Sequence, residues 1–188
     1  MKACFFLTLL LLTNICLAND FVMDTEDPRL GFNNGVLAYQ NNPFTGIVQS
    51  HYPNGDLKSA VFYQGGKRHG AYRSWYPGGL QMRQAEFSEG QRQGLAQGWW
   101  SNGQLQYQRF YIDGAIDGSA QSWSETGQLK FLQTYNKGHE DGLQRGWHED
   151  GELMFSYVFK HGRRYGLMGS SPCYSTSIEA TEYFDEEL

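Results

Sequence analysis

Aromatic and apolar positions return along this chain every 24 residues. Tryptophan recurs at Trp75, Trp99, Trp123 and Trp147, and a second column runs Tyr39, Tyr63, Phe87, Tyr111, Tyr135 and Phe159. Leucines keep step at Leu57, Leu105, Leu129 and Leu153, with Gln81 breaking the column. Glycine punctuates the same register in three ladders: Gly55 to Gly151, Gly66 to Gly162 and Gly46 to Gly166. A fixed period of this length marks a repeat array, in which each unit completes the packing of its neighbours. Inside a unit the alternation has period two. Ala71, Arg73 and Trp75 share one face of a strand, and Tyr72, Ser74 and Tyr76 share the other. No 3.6-residue apolar pattern of useful length interrupts the array.

The pattern predicts β-hairpins. Asn54-Gly55, Gly78-Gly79, Asn102-Gly103, Thr126-Gly127 and Asp150-Gly151 read as the tight turns, because these pairs tolerate positive φ. Thr126 fits only a bulged turn in which Gly127 alone is left-handed. The connection from Tyr63 to Gly70 and its counterparts reads as the longer, looser one. The expected fold is all-β, an elongated open antiparallel meander of 24-residue hairpin repeats in a single twisted layer of about a dozen strands. Strands ~4.8 Å apart, two per unit, give a rise of ~10 Å per repeat. Aromatic ladders take the place of a thick core, and the open edges need capping. The predicted organisation is a leader at 1–18, an N-terminal cap with a degenerate unit at 19–42, the array at 43–169 and an acidic tail at 170–188.

The ends change the compartment. Lys2, the apolar run Ala3–Leu12 and Cys16-Leu17-Ala18 compose an export signal cleaved after Ala18. The expected destination is the periplasm or the exterior of a bacterium. Removing Lys2 takes the net charge from −5 to −6. The array itself carries 13 bases and 11 acids, while Glu179, Glu182, Asp185, Glu186 and Glu187 crowd the tail. A near-neutral array offers no dense basic stripe for nucleic acid and no polybasic patch for anionic lipid. Only Cys173 survives outside the leader, a lone thiol open to redox or metal chemistry.

Candidate chemistry is sparse. There is no HExxH, no CxxC, no Gly-x-Ser-x-Gly elbow and no P-loop, so neither an enzyme nor a cofactor is expected. Asp113, Asp117, Glu140 and Asp141 read as solvated turn carboxylates, too few for calcium. Trp75, Trp99, Trp123 and Trp147 form either a structural ladder or a strip that stacks on sugar or peptide. The neighbouring column, Tyr52, Tyr76, Trp100, Ser124 and His148, is irregular. Tyr76 and Trp100, with Trp99 and Trp123, are therefore the candidate contact residues.

The sequence Tyr-Pro-Asn-Gly-Asp-Leu, an aromatic, then Gly-Lys-Arg-His-Gly at 52–70 resembles the MORN repeat variant. That variant occurs in bacterial proteins of the YwqK antitoxin type. The resemblance spans residues 43–169 and implies an elongated sheet of hairpins with a binding or scaffolding role and no catalytic residue set. The expectation is an exported scaffold that binds another protein in the cell envelope. The alternatives are a module for glycan, peptidoglycan or a membrane surface, and an antitoxin or immunity protein.

Overall fold

The computed structural model describes residues 21–167, and among these every regular element is a strand. The leader, Cys173 and the acidic tail lie outside the described residues. In chain order the strands are β1 (Val22–Asp24), β2 (Leu30–Asn33), β3 (Val36–Tyr39), β4 (Asn42–Pro43), β5 (Gly46–His51), β6 (Leu57–Gln64), β7 (Lys67–Trp75) and β8 (Gln81–Ser88). They continue with β9 (Gln91–Trp99), β10 (Leu105–Ile112), β11 (Ala115–Ile116), β12 (Gly118–Trp123), β13 (Leu129–Asn136), β14 (His139–Trp147), β15 (Leu153–Lys160) and β16 (Arg163–Leu167). From β5 to β16 each strand pairs antiparallel with its successor, giving an open meander that does not close into a barrel. The short β11 is the exception: it and β12 both pair with β10.

The two kinds of turn are exchanged relative to the sequence expectation. Within the array the tight two-residue turns are Gly65-Gly66, Glu89-Gly90, Asp113-Gly114, Lys137-Gly138 and His161-Gly162. Their flanking residues pair directly, as in Ser88 with Gln91, and both central residues are left-handed. That is the type I′ turn, whose twist matches the strands it joins. The Asn-Gly class makes the longer loop. At Trp100–Gln104 the Trp100 N–H donates to Gln104 O at 2.8 Å, and the Gly103 N–H donates back to Trp100 O at 2.9 Å. A type I turn is thus followed by one left-handed glycine. Asn102 and Thr126 keep negative φ, so the β-branched Thr126 is accommodated.

The turn glycines also join repeats. The Gly66, Gly90, Gly114 and Gly138 N–H groups donate to the carbonyls of Phe44, Arg68, Arg92 and Ile116, each 22 residues earlier, at 2.7–2.9 Å. A second ladder, at Gly70, Gly94 and Gly142, is left-handed beside register shifts on β6, β8 and β13, which adds twist.

One face of the sheet is the inner, buried one. Val48, Tyr72, Ala96, Ala120 and Gln144 lie on it in one column, with Tyr63, Phe87 and Tyr111 in another. Tyr72, Ala85, Phe87, Ala96 and Tyr111 pack as one cluster; Met23, Leu37, Phe44, Val48 and Tyr63 form a second at the N-terminal edge. That edge departs from a pure meander. β1 lies parallel to β5, and β2, β3 and β4 form a small sheet of their own. The His51 imidazole bonds the Asp24 carboxylate at 2.8 Å across the parallel pair. The Glu26 N–H and this imidazole hold the Asp24 carboxyl below its ordinary value.

Gly103 sits at φ +85° with open space where a Cβ would point, so backbone conformation alone excludes other residues there. Gly103→Val is expected to cost ~1–3 kcal/mol of stability, whereas Gln104→Val on the exposed neighbour stays within ~0.5 kcal/mol. Chemical denaturation of the two variants checks this, and equal midpoints would contradict the register.

Candidate interaction face

Trp75, Trp99, Trp123 and Trp147 end their strands half-buried. Each pairs across its hairpin with the leucine column or its substitute: Gln81, Leu105, Leu129 and Leu153. Tyr76 and Trp100, the two residues of irregular phase, are half-buried as well and reach into the next repeat. The Tyr52 hydroxyl donates to Trp75 O at 2.8 Å, and the Tyr76 hydroxyl donates to Trp99 O at 2.9 Å. The Trp100 indole Nε1–H donates to Trp123 O at 3.0 Å. Three successive aromatics thus staple one loop to the strand end of the following unit.

The staple stops at Ser124. Its hydroxyl stays local, within 2.8 Å of the Thr126 hydroxyl, and accepts from the Gln128 N–H at 3.1 Å. A groove of about 870 Å³ opens here, its apolar lining supplied by Trp100, Tyr107, Trp123 and Phe131. The glycine pattern explains it. Tyr107 pairs with both Gly98 and Ser122, and its ring lies over Gly98, where a Cβ would collide with it. Phe155 covers Gly146 in the same way, and Phe131 stacks on Phe155 with centroids 6.3 Å apart. Both rings beside Ser122 are therefore turned away from it. Glu125, Glu149 and Lys130 reach the groove from its polar side.

A second feature was absent from the sequence reading. Beside the groove, Arg83, Arg92 and Arg109 gather with Tyr72, Tyr107 and Tyr111 around a pocket of about 80 Å³ on the inner face. Arg109 lies 5.0 Å from the Tyr107 ring centroid, Arg92 5.5 Å from that of Tyr111 and Arg68 5.5 Å from that of Phe87. Each guanidinium is thus held over a π-face, an attraction that orients it. Burial pushes the Tyr107 phenol up, while the fields of Arg83, Arg109 and Arg92 pull it back, so all three charges are felt at one ring. The neighbouring Ser74 hydroxyl is fully buried and has no hydrogen-bond partner among the described residues. Towards the C-terminal edge the sign changes: Glu140 lies 3.7 Å from Arg164 and accepts from the Tyr157 hydroxyl at 3.3 Å. Burial and the Glu140 carboxylate push the Tyr157 phenol up to about 12.

The turn carboxylates behave locally. Asp117 accepts from the Lys137 N–H at 3.1 Å, and Asp141 accepts from the Asn136 amide at 3.4 Å. Among the described residues no three His, Cys, Asp or Glu side chains gather where a metal ion would be held.

With this geometry in view, the family model of the MORN repeat variant matches residues 44–64, 92–113 and 116–137. The three matches fall on the β5–β6, β9–β10 and β12–β13 hairpins, so these three hairpins match the MORN repeat variant. Such repeats build scaffolds for protein or membrane interaction and are generally non-enzymatic. No curated protein matches the chain.

Removing one aromatic tip tests the staple. Tyr76→Phe keeps the ring and deletes its donation to Trp99 O, at an expected cost of ~0.5–1.5 kcal/mol. Thermal denaturation against the parent chain reads it; an unchanged midpoint would mean that the hydroxyl contributes nothing to joining the repeats.

Proposed function

We propose that this array of MORN repeat variants is an exported, non-enzymatic scaffold that binds another protein across its inner face in a bacterial cell envelope. The observation that carries the reading is the inner-face assembly of Arg68, Arg83, Arg92 and Arg109 with Tyr72, Phe87, Tyr107 and Tyr111. Arginine and tyrosine dominate the energetics of protein interfaces. They combine large contact area with charge and hydrogen-bonding tips, and ring-stacked guanidiniums lose little freedom on binding. An open sheet presents such a surface along its length, the usual mode of repeat arrays. The inner-face positions in register with these residues contain one carboxylate, Glu140.

A second reading has its own observation. The groove between Trp100, Tyr107, Trp123 and Phe131 has aromatic faces for a sugar ring, with Ser122, Gln106 and Gln128 beside them as hydrogen-bonding groups. Glycan or peptidoglycan is the ligand class it fits.

Affinity capture with the full chain separates the two. Arg83→Ala/Arg109→Ala is expected to lose a dominant protein partner at least ~10-fold, since each buried charged contact contributes ~1.4 kcal/mol or more. Leu95→Ser, on the exposed opposite face, should retain it. Loss of binding on Ser124→Tyr alone, with soluble glycan as competitor, would transfer the function to the groove. Export has its own check: N-terminal sequencing of chain recovered from the envelope should begin at Asn19. An intact Met1 in the cytosol would remove the envelope from the proposal.

A further inference from the structure

The groove beside Ser124 carries charge as well as rings, and the charge narrows its ligand. Glu125 and Glu149 both line it, from equivalent positions of adjacent loops 24 residues apart. We propose that the groove is a binding site for an amino sugar, with the pyranose stacked on the rings and its ammonium held by Glu125 and Glu149. The proposal rests on the reading of the groove as a glycan site and is independent of the protein-binding reading of the inner face.

The loops hold both glutamates by their backbone. The Asn102 amide donates to Glu125 O at 2.7 Å. In the next loop Thr126 stands where Asn102 stood, and its shorter side chain bonds the Ser124 hydroxyl instead. Gln128 takes over the anchoring role: in the amide orientation that satisfies both bonds, it donates to Glu149 O at 2.8 Å and accepts from the Gly151 N–H at 3.0 Å. Among the described residues neither glutamate carboxylate is engaged in a hydrogen bond or an ion pair. Two fixed loops, one repeat or ~10 Å apart, thus present a carboxylate each to the rim of one groove.

The rings set the shape of what lies between. The Trp100 Nε1–H is spent on Trp123 O, so that indole offers a ligand only its faces. Trp123, Tyr107 and Phe131 complete the apolar lining, and Ser122 and Gln106 add hydrogen-bonding groups. A pyranose matches this mixture, with apolar C–H faces and a hydroxylated rim. An ammonium on that rim gains from the carboxylates and also from the π-faces of the tryptophans, to which a cation is drawn. Lys130 opposes it, but two carboxylates against one ammonium leave the lining net negative. Arg83, Arg92 and Arg109 line the separate inner-face pocket and not this groove. An uncharged sugar leaves both carboxylates unused, and an acidic one meets them with like charge. A basic peptide shares the charge but not the hydroxylated rim.

The test titrates the full chain with a short oligomer of β-linked glucosamine and with its N-acetylated counterpart, read by the tryptophan indole Nε1–Hε1 NMR signals. The expected result is movement of the Trp100 and Trp123 signals with Trp75 unmoved. Affinity for the aminated oligomer should exceed that for the acetylated one ~10-fold, the product of two exposed ion pairs. Glu125→Gln/Glu149→Gln should abolish the preference, and Lys130→Gln should strengthen binding of the aminated oligomer ~2–3-fold. Glu86→Gln, which removes a charge from the opposite face, should change nothing. Ser124→Tyr, which restores the ring that Tyr52 and Tyr76 supply in earlier repeats, should block both oligomers. Backbone amide shifts of β5 and β15 report that each variant remains folded. Equal affinity for the two oligomers would overturn the proposal and leave a neutral-glycan site standing, whereas binding of neither would remove both. A preference that survives Glu125→Gln/Glu149→Gln would overturn it by placing the charge elsewhere. Oligolysine bound as tightly as the aminated oligomer would overturn it in favour of a cationic peptide.

Discussion

Everything in this sheet depends on hydrogen bonds that join one repeat to the next. Along the array each strand meets only its neighbours edge to edge, and bonds between repeats fasten one unit to the next. At one end the turn glycines donate to carbonyls of the preceding repeat, as Gly90 does to Arg68 at 2.9 Å. At the other, Tyr52, Tyr76 and Trp100 donate forward to the strand-end carbonyls of Trp75, Trp99 and Trp123. A left-handed backbone is what aims the glycine N–H, and a long polar-tipped ring is what spans to the next carbonyl. Where both are met, the same geometry recurs at the period of the sequence.

Function then lies where the period is broken without breaking the fasteners. In the inner-face column Ser59, Arg83, Tyr107, Phe131 and Phe155 the residue type changes at every step from Ser59 to Phe131, although the backbone does not. The column beside it runs Val61, Ala85, Arg109, Gln133 and Tyr157. Small residues opposite large ones let a ring lie flat, as Gly98 does for Tyr107. Where serine replaces that glycine, at Ser122, the rings on both sides turn away and the groove appears. Arginine pocket and aromatic groove are thus adjacent products of one rule: constant backbone, variable side-chain volume.

The fold was legible because a 24-residue period writes itself several times over. The hairpins, the open all-β sheet and the left-handed Gly127 that accommodates Thr126 all followed from spacing and turn chemistry. The identity of the tight turns did not follow. Asn-Gly is the stronger local signal, yet Glu89-Gly90 and Lys137-Gly138 form the type I′ turns, because their glycine N–H groups are held by the neighbouring repeat. That is a tertiary constraint, invisible to a local reading. The parallel β1 was equally hidden, since its pairing with β5 depends on Met23 entering the cluster of Leu37, Phe44, Val48 and Tyr63. Tyr76 and Trp100 stood out by their irregular phase, and the structure shows what that phase does locally: their tips serve the next repeat.

The arginines were missed for a different reason, and the reason is physical. Thirteen bases against eleven acids make the array look neutral when both faces are averaged. A sheet does not average its faces, because alternate residues point to opposite sides of it. Most of the acids lie in turns and loops, among them Glu89, Asp113, Glu125 and Asp150, or on the opposite face, like Glu86. Sorting the sequence by phase, rather than by composition, would have placed Arg68, Arg83, Arg92 and Arg109 together on one face. The field that a binding partner meets is that of one face, with a screening length near 10 Å at ~0.1 M salt. Net charge over the whole array is the wrong quantity for an open sheet with two distinct faces. The phase-resolved charge is the one that determines what binds.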